Sequence, residues 1–312
     1  MILLCGIPSE TPLALVGCEL DDLGVPWRWF NQRQFASYSM SWEVDGGEVR
    51  GTLDLGDEQL RLQDVIGVYT RLMDDRILPE LNGEPEGSPL RERCRGLHDA
   101  LFHWYEVAPA RVVNRAEDQG SNSSKPYQGQ LITQYGFKVP ETLVTNQPDL
   151  VRDFVAEHGQ VIYKSMSGIR SIVQVMTDED MARLDLIRWC PVQFQAFVPG
   201  TNVRVHTVGG EGGGQVFATS AASNVTDYRY ARAQNGETVL AAVQLADDLA
   251  ERCLALAAGL GLPFAGIDLK ITPDGQVYCF EVNPSPAYSY YELNTGQPIA
   301  RAVARYLAGM AA

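Results

Sequence analysis

Apolar and polar positions change period along the chain, and the changes mark its elements. Residues 2–7, ILLCGI, form a short unbroken apolar run of the kind a fully buried strand shows. Residues 11–23 then space their apolar side chains helically and stop at Gly24, and PWRWFN reads as a second strand. SWEVDGGEVRGTL alternates on both sides of Asp45 and Gly46, which predicts a hairpin with its tight turn at that pair. DVIGVYTRL predicts a central strand, and Leu90, Cys94, Leu97, Leu101 and Trp104 repeat at helical spacing across 88–107.

The next stretch opens with the strand ARVVN and a short helix begun by Pro126 and closed by Gly136. Strand PETLVT follows, then a helix through Leu150, Phe154 and Val155 that Asn146 caps and Gly159 ends. Strand QVIYKS comes next, and Thr177 with Asp180 opens another helix. From Pro191 strands dominate, interrupted by an amphipathic helix over 240–260 and closed by a helix from about Pro298. The pattern divides the chain into an α/β unit over 1–111 and two mixed α+β lobes over 112–190 and 191–312.

The chain has 312 residues, 45% of them hydrophobic, enough for two or three packed units. A net charge of −14 with no basic run speaks against a nucleic-acid partner. No stretch approaches the roughly 18 apolar residues of a membrane span, and MILLCGI lacks a basic flank, so neither an anchor nor a signal peptide is expected. Six cysteines lie far apart in apolar contexts without a CxxC pair, which predicts buried thiols in a reducing cytoplasm rather than disulfides or zinc.

The chemistry concentrates in GIDLKITPDGQVYCFEVN, two alternating runs around Asp274 and Gly275. A hairpin centred on that pair places Thr272 opposite Val277 and Asp268 opposite Glu281. Asp268, Glu281 and Asn283 then share one face, and Ile267, Leu269, Ile271, Tyr278, Phe280 and Val282 fill the other. Two carboxylates directly opposite repel, so a cation belongs between them, and hard oxygen ligands without His or Cys suit magnesium or manganese. The alternative is a solvated face whose acids diverge into water.

Lys164 ends an apolar run and enters SMSGIRS, where it could clamp an anionic phosphate chain or reach out to water. Lys125, beside a helix start, has the same two readings. The run VGGEGGGQV lies between strands and reads as a hairpin loop, not as a phosphate site. His98, His103, His158 and His206 fall in ordinary helix or strand contexts and form no catalytic set. Arg204 alternates with Asn202 and His206 on one strand face and could be a salt-bridge partner, and Arg229 in TDYRYA is open in the same way.

The order Lys125, Lys164 with its small-residue loop, VQFQAFVPGTNVRV, GIDLK and FEVNPSP resembles the ATP-grasp superfamily, most closely its ribosomal-protein-S6-modification-like carboxylate-amine ligases. EVNPSPAYSYYELNTGQPIA and TDYRYA also resemble the microviridin or graspetide peptide ligases. The resemblance implies an ATP-grasp fold: a preceding α/β domain and two lobes that clamp the nucleotide. Lys125 and Lys164 would reach the ATP phosphates, with Ser167 and Gly168 in the loop that closes over them. Gln195, Ala196, Phe197 and Val198 would form the hinge against adenine, and Asn202 would lie near the ribose. Arg204 and Arg229 would meet the reacting carboxylate and the transferring phosphate, and Asp268, Glu281 and Asn283 would hold two magnesium ions, with manganese as an alternative.

In the reaction implied, a carboxylate attacks the γ-phosphate and the resulting acyl phosphate is captured by an amine or hydroxyl. A peptide or amino-acid-like compound is the expected substrate, with Arg71, Arg170 and Tyr288 as candidates to contact it. A small-metabolite ligase and a non-catalytic ATP-binding module are the other readings, the second favoured by Ala196 and Asn202, which stand where relatives often carry acids. A membrane partner is not expected, and a homodimer is left open.

Overall fold

The computed structural model describes residues 1–165, 173–210, 213–223 and 238–311. The first stretch builds a parallel sheet from β1 (Ile2–Gly6), helix α1 (Thr11–Asp22) and β2 (Trp27–Asn31), with the hairpin β3 (Ser39–Asp45) and β4 (Glu48–Asp54) and the short β5 (Gln59–Arg61) forming a separate three-stranded sheet. Next come β6 (Gly67–Thr70), helix α2 (Pro89–Val107) and β7 (Arg111–Val113), and the parallel sheet runs β2-β1-β6-β7. The hairpin turn falls on Gly46 and Gly47, at φ +57° and +90°, because Asp45 pairs with Glu48. This is one residue later than predicted from Asp45 and Gly46, and it suits a turn that needs positive φ twice.

The middle stretch comprises α3 (Lys125–Thr133), β8 (Thr142–Thr145), α4 (Pro148–His158), β9 (Val161–Ser165), β10 (Gln174–Val175), α5 (Asp178–Ala182) and β11 (Val192–Ala196), with an antiparallel sheet in the order β10-β9-β11-β8. Thr177 and Asp180 close a capping box at α5 as predicted. Asn146 does not cap α4: the capping position is Gln147, and the Asn146 side chain donates to the Arg188 carbonyl instead. Pro148 at the first turn starts the helix without a side-chain cap.

The last stretch comprises β12 (Thr201–Gly210), β13 (Gly213–Ser223), β14 (Thr238–Val243), α6 (Asp247–Gly259), β15 (Phe264–Ile271), β16 (Val277–Asn283), α7 (Ser289–Thr295) and α8 (Ile299–Ala308), with an antiparallel sheet in the order β14-β13-β12-β15-β16. The run VGGEGGGQV is a hairpin connection, since Gly210 pairs with Gly213. Residues 240–243, predicted as the start of a long helix, are strand: Leu240 and Ala241 pair with Ala221 and Ser220, and the helix begins only at Asp247. Sheet pairing overrides helix propensity there. Four cysteines are buried as predicted, but Cys18 and Cys190 are exposed.

Helix α8 packs far from its sequence neighbours. Ile299, Val303 and Leu307 share a core with Ile2, Leu4, Leu13 and Leu20, so the two ends of the chain close on one another. No helix among the described residues is long and apolar enough to cross a membrane.

Strand β16 lies at the sheet edge, where its unpaired backbone groups need partners. The buried side chain of Gln128, on α3, supplies them: its amide donates to the Val282 carbonyl at 2.9 Å and accepts from the Val282 amide at 2.9 Å. Lys138 continues the edge, its carbonyl accepting from the Cys279 amide and its amide donating to the Val277 carbonyl. We expect Gln128→Ala to leave both Val282 groups buried without partners and to cost about 2–4 kcal/mol. Thermal unfolding measures it, and an unchanged midpoint would show that the edge closes without Gln128.

His206 on β12 is fully buried beside Phe264 and Tyr291, with Arg204 Nε donating to its Nε2 at 3.4 Å. Burial, and then the Arg204 charge, push its pKa well below the ordinary histidine value. In the unfolded chain the ring takes up a proton near pH 6.5 while in the fold it stays neutral, so stability falls as pH drops below that value, by at most about 1.4 kcal/mol per pH unit. His206→Gln keeps an acceptor for Arg204 and should flatten this acid-side slope in chemical denaturation between pH 6.5 and 5. An identical slope in both proteins would contradict the assignment.

Candidate active site

The site is assembled on one hairpin and one cleft. In the β15–β16 hairpin Asp268 pairs directly with Glu281, Ile267 with Val282 and Gly266 with Asn283, the register expected from a turn at Asp274 and Gly275. Toward the turn the register differs by one: Ile271, not Thr272, faces Val277, and Leu269 faces Cys279. The Gly275 amide donates to the Thr272 carbonyl, so the turn is longer than a two-residue loop, and a bulge after Asp268 takes up the extra residue. The acid pair is thus brought opposite by two offsets that cancel.

The bulge also corrects the faces. Cys279 and Val277 join Ile267, Leu269 and Val282 in the core, while Phe280, predicted for the core, lines the cleft beside Glu281. That cleft runs between the middle and last sheets. Its walls carry Lys164 from β9, Gln195 from β11, Phe197 and Val198 just beyond it, Asn202 from β12, and Asp268 and Glu281. Sequence reasoning missed Lys270, whose ammonium lies 5.3 Å from the Phe197 ring centre and 5.8 Å from that of Phe280. Burial pushes its pKa down. It alternates with Asp268 along β15, a signal that was available.

Each acid has a cation. Arg204 Nη1 donates to Asp268 Oδ1 at 2.8 Å, and the guanidinium lies 5.8 Å from the centre of the Tyr291 ring. A Cβ on Gly266 would come within 2.0 Å of Arg204 Nη2, so the glycine of GIDLK is what admits the guanidinium. Lys125 Nζ stands 3.1 Å from Glu281 Oε2 and donates to Asn122 Oδ1 at 2.6 Å. Lys125 and Gln128 lie one turn apart on α3, so the clamp on β16 also sets the height of the lysine.

Asn283 sits at the exit of β16, its Oδ1 accepting from the Ser285 amide at 2.9 Å. Asn114 fastens the same exit, its amide donating to the carbonyls of Pro284 and Phe264. In the predicted hinge the amides of Ala196 and Phe197 are committed to the carbonyls of Glu141 and Gln160. Tyr288 is no substrate wall: it is fully buried, its hydroxyl donates to the Pro12 carbonyl at 2.6 Å, and it packs on Phe264. Arg71 lies on the other side of the hairpin exit, ion-paired to Glu10 and bonded to Ser285. Ser167, Gly168, Arg170 and Arg229 lie outside the described residues.

The donor chemistry fits a hard divalent ion. Asp268, Glu281 and Asn283 offer only oxygen, and each acid meets its cation through one oxygen, leaving the second without a donor among the described residues.

A family model described as a RimK-like ATP-grasp domain matches residues 122–307. The chain is 23% identical over 218 residues to a probable alpha-L-glutamate ligase 2 of Pseudoalteromonas atlantica, covering 67% of this chain and 70% of that one. A Chryseobacterium gregarium RiPP-associated ATP-grasp ligase, solved with ADP and a leader and core peptide, matches with TM-score 0.83 at 21% identity, over 100% of this chain and 97% of that one. The ATP-grasp ligase PsnB, complexed with a phosphomimetic variant of its minimal precursor, Mg and ADP, matches with TM-score 0.77 at 25% identity, over 99% and 97%. With the family model spanning more than half of its length, the chain belongs to the RimK-like ATP-grasp family and is an ATP-dependent ligase.

Proposed function

We propose that this ligase activates a carboxylate of a peptide and joins it to an amine or hydroxyl, as the peptide-modifying ATP-grasp ligases do. One observation carries the reading at the site: Asp268 and Glu281 face each other in register at the wall of a cleft that also holds Lys164 and the segment from Gln195 to Val198. The peptide as substrate rests on likeness to PsnB, solved with a phosphomimetic variant of minimal precursor, and to the Chryseobacterium enzyme, solved with a leader and core peptide. The probable glutamate ligases favour a second reading, in which an amino acid is the compound joined.

In this reading Asp268, Glu281 and Asn283 would hold magnesium, in two ions or one, which would supply positive charge against the transferring phosphoryl group. Lys164 reaches the phosphates from β9, and Arg204, fixed against Asp268, presents a guanidinium near the reacting carboxylate. Ile162, Phe197 and Val198 give the cleft an apolar lining suited to adenine, and Asn202, which lines the same cleft, is proposed to meet the ribose. Arg229 is proposed as the second cation on the carboxylate, and Ser167 and Gly168 as part of the covering loop.

Glu281→Gln removes one metal-holding charge and retains the shape, so we expect turnover to fall by at least about a hundredfold. Folding should be retained, since Lys125 keeps Asn122. ATP-dependent phosphate release and product mass, followed with a peptide encoded beside the gene and with a panel of amino acids, give the test. Wild-type turnover in Glu281→Gln would refute the metal assignment, and loss of water from an amino-acid pair with no change in any peptide would select the second reading.

A further inference from the structure

We infer that Arg71, from the first sheet, is a positioning residue for the metal ligand Asn283, so that the N-terminal α/β unit completes the site held by the last sheet. The inference rests on the metal assignment proposed above. Arg71 directly follows β6, at the carboxyl end of a parallel strand, and its amide donates to the Cys5 carbonyl at 2.8 Å. Its side chain is nearly enclosed, 12% exposed, and Nε donates to Glu10 Oε1 at 2.6 Å. The other Glu10 oxygen is buried with no donor among the described residues, which leaves Arg71 as the cation on which that carboxylate depends.

Held in this way, the guanidinium turns its other edge to the hairpin exit. Nη1 donates to Ser285 Oγ at 2.9 Å and to the Pro286 carbonyl at 3.3 Å. The Ser285 amide in turn donates to Asn283 Oδ1 at 2.9 Å, and so fixes the rotation of the side-chain amide that would hold the ion. Pro286 continues the turn into contact with the Arg204 environment, since a Cβ on Gly266 would touch both Arg204 and Pro286. The relay therefore runs from Glu10 through Arg71 and Ser285 to Asn283, across 214 residues between Arg71 and Ser285. Outer partners of this kind commonly change metal affinity by about 10–100-fold when removed.

The experiment measures the magnesium concentration that gives half of the ADP-induced rise in melting temperature, a readout independent of turnover. Ser285→Ala removes the hydroxyl that Arg71 grips while sparing the Glu10–Arg71 pair, the Pro286 contact and the backbone bond to Asn283, and should raise that concentration by about threefold. The double variant Glu10→Gln with Arg71→Met, which leaves no buried charge behind, should raise it by about tenfold or more. Arg71→Lys, able to meet Glu10 and Ser285 with one ammonium, should recover part of the loss. The ADP midpoint at saturating magnesium should stay within about twofold in all of them, which a general loosening of the fold would not allow. Unchanged magnesium midpoints in Ser285→Ala and in the double variant overturn the inference, provided Asp268→Asn abolishes the magnesium response. An unaltered response in Asp268→Asn removes the metal assignment, and the inference with it.

Discussion

Two carboxylates held opposite one another on neighbouring strands cannot stand without positive charge, and this constraint organises the rest of the protein. Asp268 and Glu281 are register partners on β15 and β16. At about 4 Å and a near-surface dielectric of about 20, a pair of unit charges repels by about 4 kcal/mol, comparable with a large share of a domain's net stability. The fold answers with one cation per acid, drawn from different places: Arg204 from the adjoining β12 and Lys125 from α3, before the middle sheet begins. Each cation then has conditions of its own. Arg204 needs the side-chain-free space above Gly266, and Lys125 needs α3 fixed against β16, which Gln128 accomplishes.

The acid pair was legible in the sequence because strand alternation and a turn dipeptide together limit the possible registers. Yet the local path differs from the one the pattern suggests. The turn runs one residue long on the β15 side, and the bulge after Asp268 restores the pairing. Alternation alone contains no term for a bulge, so it sends Phe280 to the core, where Cys279 in fact sits. The error has chemical content. Phe280 and Phe197, from the two walls of the cleft, flank the partly buried Lys270 ammonium.

Elements with strong local signals were readable: the helix start at Thr177 and Asp180, the proline start of α3, and the buried run of β1. What stayed hidden depends on partners distant in the chain. Gln128 acts as a substitute strand for Val282, Asn114 ties Pro284 to Phe264, and Tyr288 fills the core beneath α1. None of these has a local pattern, because a glutamine in a helix or a tyrosine after a strand carries no mark of what it will meet 150 or more residues away. Residues 240–243 fail in the same manner: their helical spacing is real, but the edge of β13 offers pairing that a lone helix turn cannot match.

The two cations that neutralise the acids are not equivalent. Arg204 is 5% exposed, bonded to Asp268 and His206, and enclosed by the Tyr291 ring and by Pro286 above Gly266. A rigid planar donor so enclosed has its orientation set before any anion arrives, and little ordering entropy remains to be lost when one does. Lys125 is tethered by Asn122 and Glu281 only through its terminal nitrogen, at the end of a four-carbon stem that is 26% exposed. Under the function proposed above, rotation about its own bonds would let it leave Glu281 for a phosphate, which would free the carboxylate to hold an ion. The same pair of charges thus combines an enclosed guanidinium with a more exposed ammonium, and the difference follows from closer packing around Arg204 than around Lys125.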